Sequence, residues 1–392
     1  MKITIRLTAL LAVAFLPSNV VAQEHQHGPG QGHELGRVTF PVSCNTEAQR
    51  RFEYAMAGLH SFWWEEGDRA FSAVIEADST CAMGYWGLAI NAWSNPFAGG
   101  TRGEGQRRGA AAAERALAIG APTARERGFL AAAGALYRDH ATVPNQTRLK
   151  AYADTLARLY AAVPDDPEVA IYHALALIAT ASRTDTTFAH QKRAAAILNP
   201  LFVRYPDHPG LAHYIIHAND SPRLAHLGVD AARRYAQLAP TAPHAQHMPS
   251  HIFIRLGLWD DNIAANQRSF DAGVAYARAQ GQPVVPEQYH ALDYMVYGYL
   301  QQGRDSVARA TVAGSQALTA TLTNDALLAN YNRTAMDARI PLERGDWAAA
   351  AQLPVRSTQP GISAALTRFA RGIGAARSGN AAQARAEAAA LA

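Results

Sequence analysis

The chain has 392 residues, of which 49% are hydrophobic, with 36 Lys plus Arg against 32 Asp plus Glu and a formal net charge of +4. Charge this nearly balanced excludes a basic stripe, so nucleic acid is not expected as a partner. The length exceeds what one compact core usually supports, which points to several domains or to repeats.

Lys2 and Arg6 precede the apolar stretch LTALLAVAFL, and Val20-Val21-Ala22 offers the small residues a signal peptidase requires. Residues 1–22 therefore read as a cleaved secretory signal, because the stretch is too short for a stable anchor. No later segment approaches a membrane span. The mature chain is expected to be soluble and periplasmic or secreted. Residues 23–44 are rich in His, Gly, Pro and Gln and read as a flexible leader. Cleavage after Ala22 would begin the chain Gln23-Glu24-His25, whose amine, two amides and imidazole form a square-planar set for Cu(II) or Ni(II). A solvated or cyclised terminus is the ordinary alternative.

Residues 45–392 show apolar positions at helical spacing and few alternating Val/Ile/Thr runs, so the fold class is all-α. Punctuation recurs at Gly67-Asp68, Gly257-Leu-Trp259, Gly303-Arg-Asp305, Gly345-Asp-Trp347 and Gly379-Asn380, each between paired helical runs. Pro-led restarts mark longer breaks at Pro164-Asp-Asp-Pro167, Pro206-Asp-His-Pro209 and Pro240-Thr-Ala-Pro243. Phe52 and Trp86 stand one unit of about 34 residues apart, as do Gly345 and Gly379. This arrangement resembles a tetratricopeptide-repeat (TPR) solenoid, a right-handed superhelix of antiparallel helix pairs. The stretches DSTCAMGYWGLA, HPGLAHYIIHAND and HAQHMPSHIFIRLGLWDD are similar to a group of exported bacterial TPR proteins of unassigned function. That resemblance implies a fold and no reaction.

Cys44 precedes the first helix of the first repeat and Cys81 follows its second, and no other cysteine exists. Those ends are neighbours in an antiparallel pair, and the expected compartment is oxidising, so the two should form a disulfide. The first repeats are rich in aromatics. Most belong in a core, but Trp63 and Trp64 are consecutive and cannot both face inward. One of them, with His60, Asn91 and Asn95, is expected to line a groove that recognises a peptide or small ligand.

First helices of successive repeats line the concave face of such a solenoid. Punctuation places them at about 46–64, 82–95, 167–180, 209–219, 243–256 and 287–301. His213 and His217 share one helix face, as do His247 and His251. Two neighbouring helices with such pairs are expected to direct four imidazoles at one ion. His290 lies on the next helix with Asp293 one turn on, and Asp220 is a nearby carboxylate; Tyr297 is placed in the same groove. Imidazole suits zinc or copper, among other transition metals, and Met248 would favour copper if it turned inward. Ordinary packed histidines are the competing reading. Pro249 either sits inside a helix from Pro243 to Gly257 or starts one, leaving His244 and His247 on a loop.

No GxxxxGK[ST], GxSxG, CxxCH or dinucleotide fingerprint is present, nor is HExxH, since position 214 is tyrosine. The expectation is an exported binding or assembly protein whose groove holds a peptide, a protein partner or a small ligand. The alternatives are a hydrolase-like metalloenzyme and a metal storage or delivery protein, both using the histidines.

Overall fold

The computed structural model describes residues 34–98, 100–281, 286–318, 326–355 and 361–392. The expected signal segment and His25 lie outside them. Among the described residues all regular structure is helical, in consecutive pairs. These are α1 (Thr46–His60) with α2 (Trp64–Ala77), α3 (Ala82–Trp93) with α4 (Gly103–Ile119), and α5 (Ala124–Tyr137) with α6 (Asn145–Ala162). Next come α7 (Pro167–Ala179) with α8 (Ala189–Arg204) and α9 (Pro209–Asn219) with α10 (Val229–Leu238). The split helix α11 (Pro243–His247) and α12 (Pro249–Leu256) pairs with α13 (Trp259–Ala279), and α14 (Pro286–Gln301) with α15 (Asp305–Ala317). The last pairs are α16 (Ala326–Arg344) with α17 (Trp347–Ala351), and α18 (Gly361–Arg377) with α19 (Ala381–Leu391). Each helix packs on its partner and on the next pair, giving a TPR-like α-solenoid. No described helix is long and apolar enough to cross a membrane.

The local chemistry explains the pairing. Proline opens α7, α9, α11 and α14, where its missing N–H costs nothing. Asn45, Thr123 and Asp166 cap α1, α5 and α7 through their side-chain oxygens. Four turns between paired helices carry a glycine in the left-handed region: Gly257, Gly303, Gly345 and Gly379, with φ of 71°, 70°, 63° and 81°. The residue after each glycine donates its N–H to a carbonyl five residues back, at 2.8–2.9 Å, which closes the helix end.

Gly67-Asp68 is not such a turn. Gly67 lies inside α2 with the Asn91 side chain against it, and the chain turns at Ser61–Trp63. The pair α5/α6 escaped the punctuation because its junction has no Gly-Asp signal.

The part of the expected 23–44 leader that is described, residues 34–44, packs on the helices. Leu35, Val38 and Phe40 are buried, and the extended segment they occupy crosses the starts of several first helices. The Arg37 N–H donates to the Asp207 carbonyl at 3.0 Å, and the Ser43 N–H to Glu126 at 2.6 Å. Phe40 packs on the rings of Phe52, Trp86 and Phe129, long-range contacts that a composition-based reading as disorder overlooks.

Helix α1 packs directly against α9 across the inside of the superhelix. Gly210 permits this approach, since a Cβ there would lie 2.6 Å from the His60 ring. The enclosed space is filled by Phe40, Phe52, Trp86, Phe129, Tyr172 and Tyr214, all at most 1% exposed. This core runs from Leu35 to Ala277, and a second spans Tyr289 to Ile340.

Cys44 and Cys81 form a disulfide with Cα atoms 5.1 Å apart, closing a separation of 37 residues. Chain-entropy reasoning for a loop of this size gives roughly 3–4 kcal/mol of stability. Thermal melts with and without a thiol reductant should differ accordingly. Superimposable melts, with reduction verified by mass, would contradict this role for the bridge.

Candidate metal centre

Helices α9, α11, α12 and α14 bring six histidines together at the junction of the two apolar cores. They form two groups of three rather than the single four-histidine set expected from the sequence. His213, His217 and His244 make one group, and His247, His251 and His290 the other; within each, one ligating atom per residue lies within 4.8 Å of the others. His244 was absent from the expected ligand set, although it stands three residues before His247 and so shares its helix face. The groups adjoin: the rings of His217 and His251 are 6.2 Å apart, as are those of His244 and His247.

Pro249 explains how one short segment serves both groups. Neither reading of it was complete, because Met248 keeps helical angles (φ −54°, ψ −36°) and links α11 to α12. Proline cannot donate a backbone bond, and the next donors adjust: the His251 N–H bonds the Met248 carbonyl, a tightened i→i−3 step. His244 and His247 are therefore helical, and the i→i−3 bond carries the chain on to His251. Met248 is itself buried in the apolar core.

The hydrogen bonds at Nδ1 fix where the lone pairs point. His213 Nδ1 donates to the His60 carbonyl at 2.7 Å. His251 Nδ1 donates to the Asp220 carboxylate at 2.8 Å. His247 Nδ1 donates to Asn266 Oδ1 at 2.7 Å, and the Asn266 amide nitrogen donates to the Asn262 carbonyl, which sets its orientation. His290 Nδ1 meets Asn332 Oδ1 at 3.2 Å. A neutral imidazole with its proton on Nδ1 presents a bare lone pair on Nε2. The Nε2 atoms converge: His247 to His251 at 3.0 Å, His213 to His217 at 3.1 Å, and His213 to His244 at 3.3 Å. Nitrogens bound to one ion at ~2.0–2.1 Å in tetrahedral geometry stand about 3.3 Å apart. In the first group His217 or His244 can donate Nε2–H to His213, whereas in the second the lone pairs of His247 and His251 face each other and repel unless a positive centre lies between them.

Burial opposes a proton in that role. It pushes His213 down to about 3 and holds His217, His244 and His247 well below the ordinary histidine range, with neighbouring imidazoles adding to the effect. His290 is lowered, again chiefly by burial. Burial works against the charge on Asp220, but the bond from His251 and the nearby Arg255 outweigh it and keep the carboxyl below its usual range. Asp220 is thus an ionised anchor for the His251 ring.

Aromatic rings close both groups. Phe62 packs on the first, 4.5 Å from His213 and 5.5 Å from His244, and Phe97 lies 4.2 Å from His217. Tyr294 covers the second, 4.6 Å from His247 and 5.0 Å from His290. Phe62 has φ of 53°, the left-handed value that glycine supplies in four later turns, and the following Trp63 N–H makes the same five-back bond. A bulky residue there costs of order 1–3 kcal/mol, and what the strain secures is a ring against the histidines.

The other expected site residues lie elsewhere. His60 is fully buried, with Nε2 donating to Glu168 and Nδ1 accepting from Tyr214, so it lines no groove. His208 donates to the other Glu168 oxygen; burial opposes the Glu168 charge, but the two imidazoles outweigh it and hold the carboxyl well below its usual range. Trp63 is buried against Tyr276, and Trp64 stacks on Phe62. Asn91 donates to the Trp64 carbonyl and to Asp68, tying α3 to α2. Asn95 accepts from the Phe97 N–H in a local turn. Asp293 is taken up by both arms of Arg339, at 2.6 and 2.9 Å. Tyr297 packs between Trp259 and Arg339; it is Tyr294, three residues earlier, that reaches the histidines. His60, Trp63 and Asn91 are thus buried, while Trp64 is half-buried, in keeping with the expectation that the two tryptophans do not both face inward.

No family model matches the chain, and no curated protein matches it. Among solved structures, the human IFIT1 dimer with PPP-AAAA is similar at 13% identity and a TM-score of 0.38, over 88% of this chain and 72% of that one. The human IFIT1 dimer with m7Gppp-AAAA gives 12% identity and a TM-score of 0.40, over 78% and 68%. Likenesses of this strength carry nothing about ligand or reaction.

The strain at Phe62 predicts an inverted substitution series. Phe62→Ala and Phe62→Gly leave the same cavity, but only alanine keeps the left-handed penalty, of about 1 kcal/mol or more. Phe62→Gly should melt at the higher temperature. An alanine variant as stable as the glycine one would show that the backbone there is unstrained.

Proposed function

We propose that this is an exported, TPR-like binding protein whose bound species is a pair of transition-metal ions, one on His213, His217 and His244 and one on His247, His251 and His290. The observation that carries the reading is the convergence of Nε2 atoms at the edge length of a metal tetrahedron, with Nδ1 of His213, His247, His251 and His290 tied to oxygen acceptors. Three protein ligands per ion leave a coordination position open, the arrangement of reactive rather than purely structural sites. A disulfide favours an oxidising compartment and so supports export. Membership in the exported bacterial TPR group rests on the quoted motifs. The expectation that nucleic acid is not a partner rests on charge balance alone and finds no support in the comparisons. A protein or peptide partner would use surfaces other than the filled interior of the first repeats.

Elemental analysis of the full chain after incubation with zinc or copper should find two ions per chain. His217→Ala and His251→Ala should each retain one, with helix content unchanged. No bound metal in the wild type, or no loss in either variant, would return the histidines to ordinary packing.

The anchors provide a finer check. Asp220→Ala frees the His251 ring without removing a ligand. Loss of such an outer hydrogen bond typically lowers metal affinity ~10–100-fold, which competition against a chromogenic chelator would measure. Unchanged affinity would show that Asp220 serves only its ion pair with Arg255.

A further inference from the structure

Resting on the proposed metal centre, we infer that its two halves are unequal: the second group fills first and holds its ion tightly, and the first group is the exchangeable half. Asn266 is the positioning residue that sets the difference. The ground is what each group does before an ion arrives. In the first group His213 Nδ1 donates to the His60 carbonyl, so its Nε2 is an acceptor, with Nε2 of His217 and of His244 at 3.1 and 3.3 Å. Either of those two rings can carry its proton on Nε2 and donate it to His213, because neither has a protein acceptor at Nδ1 among the described residues. The metal-free group is thereby satisfied. An ion must break that hydrogen bond and move the proton to an Nδ1 that no described protein group receives.

The second group has no such alternative. Asn262 Nδ2 donates to the Tyr294 carbonyl at 2.9 Å, and Asn266 Nδ2 donates to the Asn262 carbonyl at 2.9 Å and to its Oδ1 at 3.1 Å. Both asparagines are fully buried. Two backbone carbonyls, which only accept, thus dictate which end of each amide is nitrogen, and Asn266 Oδ1 is left facing His247 Nδ1 at 2.7 Å. The His247 proton is therefore on Nδ1. The Asp220 carboxylate does the same for His251 at 2.8 Å, with Arg255 on its other oxygen at 2.9 Å. His290 Nδ1 meets Asn332 Oδ1 in the same way. With these protons committed, the Nε2 lone pairs of His247 and His251 confront each other at 3.0 Å. An ion relieves that repulsion instead of breaking a hydrogen bond, and it meets rings already oriented by their outer partners. Binding is measured against the metal-free state, so the second group gains more from the same ion and the same donor type. Filling last, the first group also empties first.

The test titrates zinc into the full metal-free chain in competition with chelators of graded affinity. Two phases of one ion each are expected, ~10–100-fold apart in Kd, the spread that an outer hydrogen bond typically produces. His251→Ala should remove the tight phase and His217→Ala the weak one. Asn266→Ala should weaken the tight phase by ~10–100-fold and leave the weak phase where it was, a selective shift that a general loss of stability would not give. Wild-type crystals grown with one equivalent of zinc answer the ranking without any substitution, the zinc-edge anomalous peak being expected between His247, His251 and His290. Equal affinities, a tight phase lost in His217→Ala, or a one-equivalent peak at His213, His217 and His244 would overturn the ranking while leaving the metal centre standing. A tight phase unmoved in Asn266→Ala would overturn the role of Asn266. Absence of any bound zinc would overturn the centre as well.

Discussion

The packing of α1 on α9 is the contact on which the rest of the molecule depends. It fills the interior of the first repeats with aromatic side chains. The same contact delivers the His60 carbonyl to His213 Nδ1 and swings Phe62 onto the first histidine group. Tertiary closure and imidazole orientation are thus one event. Gly210 keeps this contact open, since a Cβ there would lie 2.6 Å from the His60 ring.

Each half of the centre has its own means of orientation. In the first group His213 is oriented by a backbone carbonyl, which is fixed once α1 is fixed. The second relies on side chains from three elements: Asp220 at the end of α9, Asn266 on α13 and Asn332 on α16. Each accepts the Nδ1 proton and so turns Nε2 toward the neighbouring ring. Pro249 opens α12 between His247 and His251, where its missing donor is replaced by the His251 N–H bond to the Met248 carbonyl. Phe62 departs from rule in the same way, sitting where four other turns use glycine. Local irregularities of this kind concentrate at functional positions.

Much of the architecture could be read from one-dimensional signals, because it is set locally. Glycines 257, 303, 345 and 379 mark turns since only glycine enters the left-handed region freely, and prolines 167, 209 and 243 mark helix starts. The paired spacing of His213 with His217 and His247 with His251 was visible for the same reason. The partition into two groups of three was not, because it depends on how α11 is rotated against α9. Asn266, Asn332 and Tyr294 carry no local signal of their role. The turn at Phe62 was hidden because its glycine is missing, and the buried segment around Phe40 because its partners lie on several distant helices.

Whether six histidines hold two metal ions is tested most directly by anomalous scattering at the copper edge, on crystals of the full chain soaked in copper. Two peaks are expected, one bounded by His213, His217 and His244 and the other by His247, His251 and His290. A map with no peak at either position, in crystals shown by fluorescence to contain copper, would contradict it.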